Sequence, residues 1–186
     1  DLEDGGAGHF AECIKEVKKS YPKIIVEVLI PDFKGDIEAL KKIVDTKPEV
    51  IAHNIETVEK LQRKVRDPRA SYRQSLGVLE NVKKLNPNIY TKSAIMLGFD
   101  ESDEEVIQSM KDLRAIGCQI LTIGQYLRPS DWHLPIARFV EPAKFRYFEQ
   151  KALELGFLYC ASGPFVRSSY RAGELFLKNV IKKRPS

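Results

Sequence analysis

Long apolar runs are missing from this chain. None of its 186 residues belongs to a stretch near the ~20 apolar residues that a bilayer span needs. Cysteine is scarce too. Cys13, Cys118 and Cys160 are too few and too scattered for a disulfide framework or a metal motif, a usage expected of a reducing cytosol. An excess of one sign of charge is nearly absent: 30 Lys and Arg against 26 Asp and Glu leave +4, too mild to imply a nucleic-acid partner. Neither a signal peptide nor a transit peptide is visible, and the chain begins on Asp1 rather than methionine, so it reads as a fragment. There is no Walker loop, no glycine-rich dinucleotide fingerprint and no serine-hydrolase elbow. His9 and His133 have no cysteine or carboxylate at zincin-like spacing, so His9 is read as a helix start and His133 as loop surface.

What is present is regular alternation. Hydrophobic residues at 43% and charged residues at 30% suit one soluble domain with a real core. Residues 24–30 form a nearly continuous β-branched run, the pattern of a strand buried on both faces, interrupted by Glu27. Further strands are expected over residues 50–55, 89–97, 119–126 and 157–161. Between them lie helical patterns. Phe10, Ile14 and Val17 share one face, with Cys13 among them as a small core residue; Ile37, Leu40 and Val44 share the next, after Asp36 as a cap. Ser71 with Gln74 and Ser102 with Glu105 have capping-box spacing. Gly117 and Gly156 close two helices, and Pro142 opens one.

Strands alternating with helices mean parallel α/β. An open doubly wound sheet and a TIM-type barrel share that rhythm. Polar residues gather where strand after strand ends, at Asp32, Asn54, Glu56, Gly98, Gln125 and Ser162, which favours a partial, incomplete TIM-type parallel β/α barrel. Residues 1–186 are expected to be a single domain, with 163–186 as a C-terminal extension.

Several residues invite chemistry. Asp4, Gly5 and Gly6 form a glycine turn whose N–H groups suit an anionic ligand end. His53, Asn54 and Glu56 sit at a strand end, where Asn54 could touch a ligand or cap a helix. Met96, Leu97 and Gly98 could lay backbone against a flat ligand. Glu27 and Lys92 each interrupt an apolar strand, so a structural pair and a ligand role stand equal. Arg167 and Ser168 follow the Gly163-Pro164 turn, and Ser168 or Ser169 could cap a helix from Tyr170 onward.

The segment Gly163-Pro164-Phe165-Val166-Arg167-Ser168-Ser169-Tyr170 resembles the C-terminal signature of the lipoyl synthase family of radical S-adenosylmethionine enzymes. Asp4-Gly5-Gly6-Ala7, residues 27–33, residues 53–57, Thr91-Lys92-Ser93, Met96-Leu97-Gly98 and residues 124–127 agree in family order, from Asp1 to about Ala172. The family's N-terminal portion, with its two three-cysteine motifs, is missing here. The resemblance implies a partial barrel of about six βα units and S-adenosylmethionine binding by Asp4, Gly5, Gly6, Asn54, Glu56, Met96, Leu97, Gly98 and Gln125, with Glu27, His53, Lys92 and Arg167 in support. It further implies Ser168 as a ligand of an auxiliary 4Fe-4S cluster, Ser169 losing by motif position alone. A complete enzyme would hold two 4Fe-4S clusters. The implied reaction is sulfur insertion into octanoyl groups on lipoyl-carrier domains, of a 2-oxoacid dehydrogenase E2 or a glycine cleavage H protein. A cytoplasmic monomer, inactive as this fragment, is expected. An aldolase-like barrel using Lys92 as a Schiff-base amine is the rival enzyme, and a catalytically dead carrier-binding module the rival from another class.

Overall fold

A computed structural model describes residues 2–169. The Tyr170 end of the signature, the expected helix beyond it, the basic cluster Lys178, Lys182, Lys183 and Arg184, and most of the 163–186 extension therefore lie outside the described residues.

Five strands form one parallel sheet: β1 (Glu27–Leu29), β2 (Val50–Ala52), β3 (Tyr90–Leu97), β4 (Ile120–Gln125) and β5 (Tyr159–Gly163). Their order is β1-β2-β3-β4-β5, so each strand pairs with its neighbour in sequence. The helices are α1 (Ala7–Ser20), α2 (Ile37–Val44), α3 (Gln62–Val65), α4 (Tyr72–Leu85), α5 (Asp103–Ala115) and α6 (Pro142–Glu154). Local signals explain most of their ends. Asp36 accepts from the N–H groups of Glu38 and Ala39 and so caps α2. Ser102 and Glu105 complete a reciprocal capping box on α5. At α4 the box is half made: Ser71 caps Gln74, while the Gln74 amide reaches Asp32 instead, at 2.5 Å.

One sheet face carries Ile51, Ile95, Leu97, Leu121, Ile123 and Cys160, which pack into buried clusters with side chains of α2, α4, α5 and α6. The opposite face has a different floor. There Val50, Tyr90 and Ile120 form a small cluster with Tyr159 against it. Above that floor the side chains shrink to Ala94, Thr122, Gly124, Ala161 and Gly163, neighbours in register across β3, β4 and β5. Helices packed on one face and small residues on the other make a barrel wall, which decides against the doubly wound sheet. The fold is a partial TIM-type barrel.

Three expectations change. Residues 24–30 are not buried on both faces: the regular strand is three residues, and Ile24 and Leu29 are 45% and 49% exposed. Among the described residues β1 pairs with β2 alone, which leaves its other edge uncovered by a strand. Cys13 and Val17 face solvent on α1 because Ala7, Ala11 and Ile14 define the buried stripe. Ile37 is exposed at the first turn of α2, whose inner face is Ala39, Leu40, Ile43 and Val44.

Candidate active site

A cavity of about 180 Å³ opens where β2 to β5 end. Ala94 and Met96 of β3 and Thr122 and Gly124 of β4 form its wall; Asn54 and Glu56, on the chain leaving β2, form its side. Gln125, Leu127, Val166, Arg167 and Ser168 complete it.

Glu56 is placed there by its backbone. The Glu56 N–H donates to the Ala94 carbonyl at 3.1 Å, and Met96 N–H donates to the Glu56 carbonyl at 2.8 Å. Between these bonds Glu56 adopts φ 65°, a left-handed conformation that costs a non-glycine residue roughly 1 kcal/mol and more. The Asn54 amide donates to Glu56 Oε1 at 3.1 Å. Burial pushes the Glu56 carboxyl up, against the lowering influence of that hydrogen bond and of Arg66. Asn54 Oδ1 and Thr122 Oγ1 are buried with no partner among the described residues. Unpaired polar atoms on a cavity wall are where a ligand's own polar groups belong.

The roof comes from the chain after β5. Val166 N–H donates to the Gly163 carbonyl at 3.1 Å, folding the segment back over β4. A methyl group on Gly124 would overlap the Val166 carbonyl oxygen, so glycine is required for this crossing. Arg167 Nη1 donates to the carbonyls of Val166 at 2.7 Å and Pro164 at 3.3 Å, holding the turn that presents Ser168.

Asn54, Glu56, Met96, Gln125, Arg167 and Ser168 thus come together in one cavity. The remaining candidates do not line it. Gln125 itself is largely committed: its amide donates to Tyr126 and Arg138 carbonyls at 3.0 and 3.1 Å and accepts from Val140 N–H at 2.9 Å, pinning the loop 127–141. Leu97 turns its fully buried side chain into the helix-side core. Gly98 does permit close approach, but the protein itself takes it: an added Cβ would meet the Gln125 amide and, at 2.8 Å, the Arg138 carbonyl. That corrects the reading of Gly98 as a ligand seat.

Lys92 Nζ lies 2.6 Å from Glu27 Oε1, with side chains 4% and 31% exposed, so the structural pair is formed. A covered, ion-paired amine leaves no approach for a carbonyl substrate, which removes the Schiff-base reading. His53 is buried, with Nδ1 2.8 Å from the Ile30 carbonyl and Nε2 3.0 Å from Ser75 Oγ, which also accepts from Arg66 at 2.8 Å. Those partners fit a neutral ring with Nδ1–H donating to Ile30, and burial pushes its pKa down. Asp4 accepts from Gly6 and Gly8 N–H and from Lys42, and the Lys42 bond, foremost among these, holds its carboxyl down to about 2. The Asp4-Gly5-Gly6 turn lines a separate groove with Pro31, Asp32 and Phe33.

Thr122 and the Glu101–Arg138 pair escaped the sequence reading, and Gly124 entered it only as part of the motif at residues 124–127. Glu101 is buried, its carboxylate accepting from Gly98 and Phe99 N–H and from Arg138 at 3.0 Å. Threonine and glycine are too common in strands and turns to announce themselves. Glu101 reads as one more acid before a helix.

An iron–sulfur cluster does not fit the described residues. No three His, Cys, Asp or Glu side chains among them converge on a metal position. Cys13 is exposed beside His9; Cys118 and Cys160 are buried, and burial pushes both thiols up, Cys118 to about 12. Ser168 brings one hydroxyl, and a cluster needs several ligands. The cavity suits a polar organic ligand better, its wall carrying the unpaired Asn54 and Thr122 oxygens.

The Radical SAM superfamily model matches residues 2–113. Mitochondrial lipoyl synthases of Kluyveromyces lactis and Lachancea thermotolerans are 56% and 54% identical over 99% of this chain, and that of Trichoplax adhaerens is 53% identical over the same share. This chain spans 50%, 50% and 53% of them, about half the length of these relatives. Among solved structures, methylornithine synthase aligns with TM-score 0.51 at 16% identity, covering 94% of this chain and 42% of that one. The HMG-CoA lyase of Brucella melitensis aligns with TM-score 0.51 at 14% identity, covering 76% and 48%. Both likenesses speak for the fold alone. The relatives' names overturn the cytoplasmic expectation and point to mitochondria. Three scattered cysteines carry no address of a compartment. By its family model the chain belongs to the Radical SAM superfamily, and the curated relatives that it matches over nearly its whole length are lipoyl synthases.

Proposed function

We propose that this chain supplies the barrel wall and substrate cavity of a mitochondrial lipoyl synthase, which inserts sulfur into octanoyl groups carried on a lysine of a lipoyl-carrier domain. The observation that carries the reading is the convergence of Asn54, Glu56, Met96, Gln125, Arg167 and Ser168 on one cavity at the strand ends. When bound, S-adenosylmethionine supplies the radical chemistry that activates unreactive C–H bonds. The chain's own part is to bind and to shield. Asn54 and Thr122 offer hydrogen bonds, Glu56 a carboxyl of raised pKa, and Arg167 a cation at the mouth. The roof of residues 164–168 keeps water from the wall beneath it. Two 4Fe-4S clusters, held by three-cysteine motifs, and a carrier of the E2 or H-protein kind belong to the complete enzyme in this proposal. In this proposal Ser168 would offer its hydroxyl to the auxiliary cluster of the complete enzyme, as a weaker iron ligand than thiolate.

The test uses the chain extended by the family's cysteine motifs, reconstituted with iron and sulfide without oxygen. Lipoyl product on an octanoylated carrier is the expected result, and 5′-deoxyadenosine with no lipoyl product from any carrier would refute the proposal. Ser168→Ala in that enzyme should keep 5′-deoxyadenosine formation and lose sulfur insertion. The 186-residue chain alone should form no 5′-deoxyadenosine.

A further inference from the structure

We propose that the Thr122 hydroxyl is a substrate-binding group that takes the neutral amide of an acylated lysine. The inference rests on the functional reading above and deepens it. Thr122 is 2% exposed, lines the cavity, and its Oγ1 has no partner among the described residues. Its register neighbours on the same sheet face are Ala94 and Ala161, which offer only methyl groups. Along its own strand the same face continues to Ile120 and Gly124, equally without a polar side chain. Lys92, the next side chain below Ala94 on this face, is tied to Glu27, so among the described residues the Thr122 hydroxyl is the unpaired polar group on this stretch of β3, β4 and β5. A valine of the same shape would fold at least as well, because a buried unsatisfied hydroxyl is a cost.

The pattern of the wall selects the ligand group. A carboxylate or ammonium needs a charge or several dipoles to replace water, and one neutral hydroxyl supplies neither. The charged side chains of the cavity, Glu56 and Arg167, come from the loops above the strands. An acyl-lysine has the complementary pattern, an apolar chain broken once by a neutral amide. Thr122 Oγ–H donating to the amide carbonyl would satisfy both groups at once.

The experiment compares the 186-residue chain with Thr122→Val and Thr122→Ser. Titration calorimetry would use a peptide bearing octanoyl-lysine and, separately, S-adenosylhomocysteine; thermal unfolding would be followed without ligand. Thr122→Val should weaken the peptide about tenfold, as one lost hydrogen bond predicts. It should leave S-adenosylhomocysteine unchanged and raise Tm by about 2–4 °C. Thr122→Ser should keep the parent's peptide affinity. Weakening of S-adenosylhomocysteine instead would assign the hydroxyl to the nucleoside and overturn the proposal. A lower Tm with unchanged peptide affinity would make it structural. A parent that binds S-adenosylhomocysteine but not the peptide refutes this inference while sparing the functional reading; binding of neither refutes both.

Discussion

Strands β1 and β3 exchange the environments that their compositions promise. The run at 24–30 is the more apolar, yet Ile24 and Leu29 are nearly half exposed. β3 carries Thr91, Lys92 and Ser93 in succession, all at most 3% exposed. The difference lies in neighbours. β3 is paired on both sides and backed by α4, α5 and α6, whereas β1 is paired on one side. The polar residues of β3 are buried because each is answered: Ser93 Oγ accepts from Ile55 N–H at 3.2 Å, Lys92 meets Glu27, and Thr91 N–H donates to the Gln119 side chain at 3.1 Å. Apolarity says what a strand gains by burial. Neighbours decide whether it is buried.

The sharpest way to break this contrast is truncation on each strand. Ile95→Ala, at a fully buried core position, should cost about 3–4 kcal/mol. Leu29→Ala should stay within about 0.5 kcal/mol. Urea unfolding of the two variants measures both, and equal losses would mean that β1 is covered in solution.

Next in size is the brace between the strands. Glu27→Gln strands the covered Lys92 ammonium and should cost about 2 kcal/mol, discounted because Glu27 is partly exposed. Lys92→Met leaves a carboxylate that water can reach and should cost less than half of that. The reverse ranking would place the burden on Glu27.

The smallest effect is acid sensitivity through His53, which ties Ile30, just beyond β1, to α4. Its folded pKa lies below the unfolded value of about 6.5. The neutral ring therefore stabilises the fold above that pH. As pH falls below about 6.5 the unfolded chain takes up the proton first and stability declines. Chemical unfolding between pH 7.5 and 5 should show a shallower decline for His53→Gln than for the parent.

Much of the fold was legible because its signals are local. Asp36, Ser102 with Glu105, Pro142, Gly117 and Gly156 act within a few residues of themselves, and the helices start and stop there. Of the polar residues that mark strand ends in the sequence, Asn54, Glu56 and Gln125 share one cavity. Depth was not legible. Whether Leu97 or Met96 faces the cavity depends on strand parity relative to a wall, and Gly98 and Gly124 look alike until the backbones that cross them are placed. Thr122 acquires meaning only through Ala94 and Ala161, which lie 28 and 39 positions away in the chain (122 − 94 and 161 − 122). The Glu27–Lys92 alternative was open in sequence because reach across β2 is a property of the sheet.

The crossing of Val166 over Gly124 has a consequence for the order of assembly. Strands that pair only with their sequence neighbours allow each unit to dock on the one already made. The roof can seat only after β4 and β5 are side by side, so during synthesis from the N-terminus the cavity is the last part of the described molecule to exist. In refolding with pulsed hydrogen exchange, the Val166 amide should gain protection after that of Ile123. Ligand capture then doubles as a report that the polypeptide has finished folding, and nascent or clipped chains would carry the sheet without the means to hold a substrate.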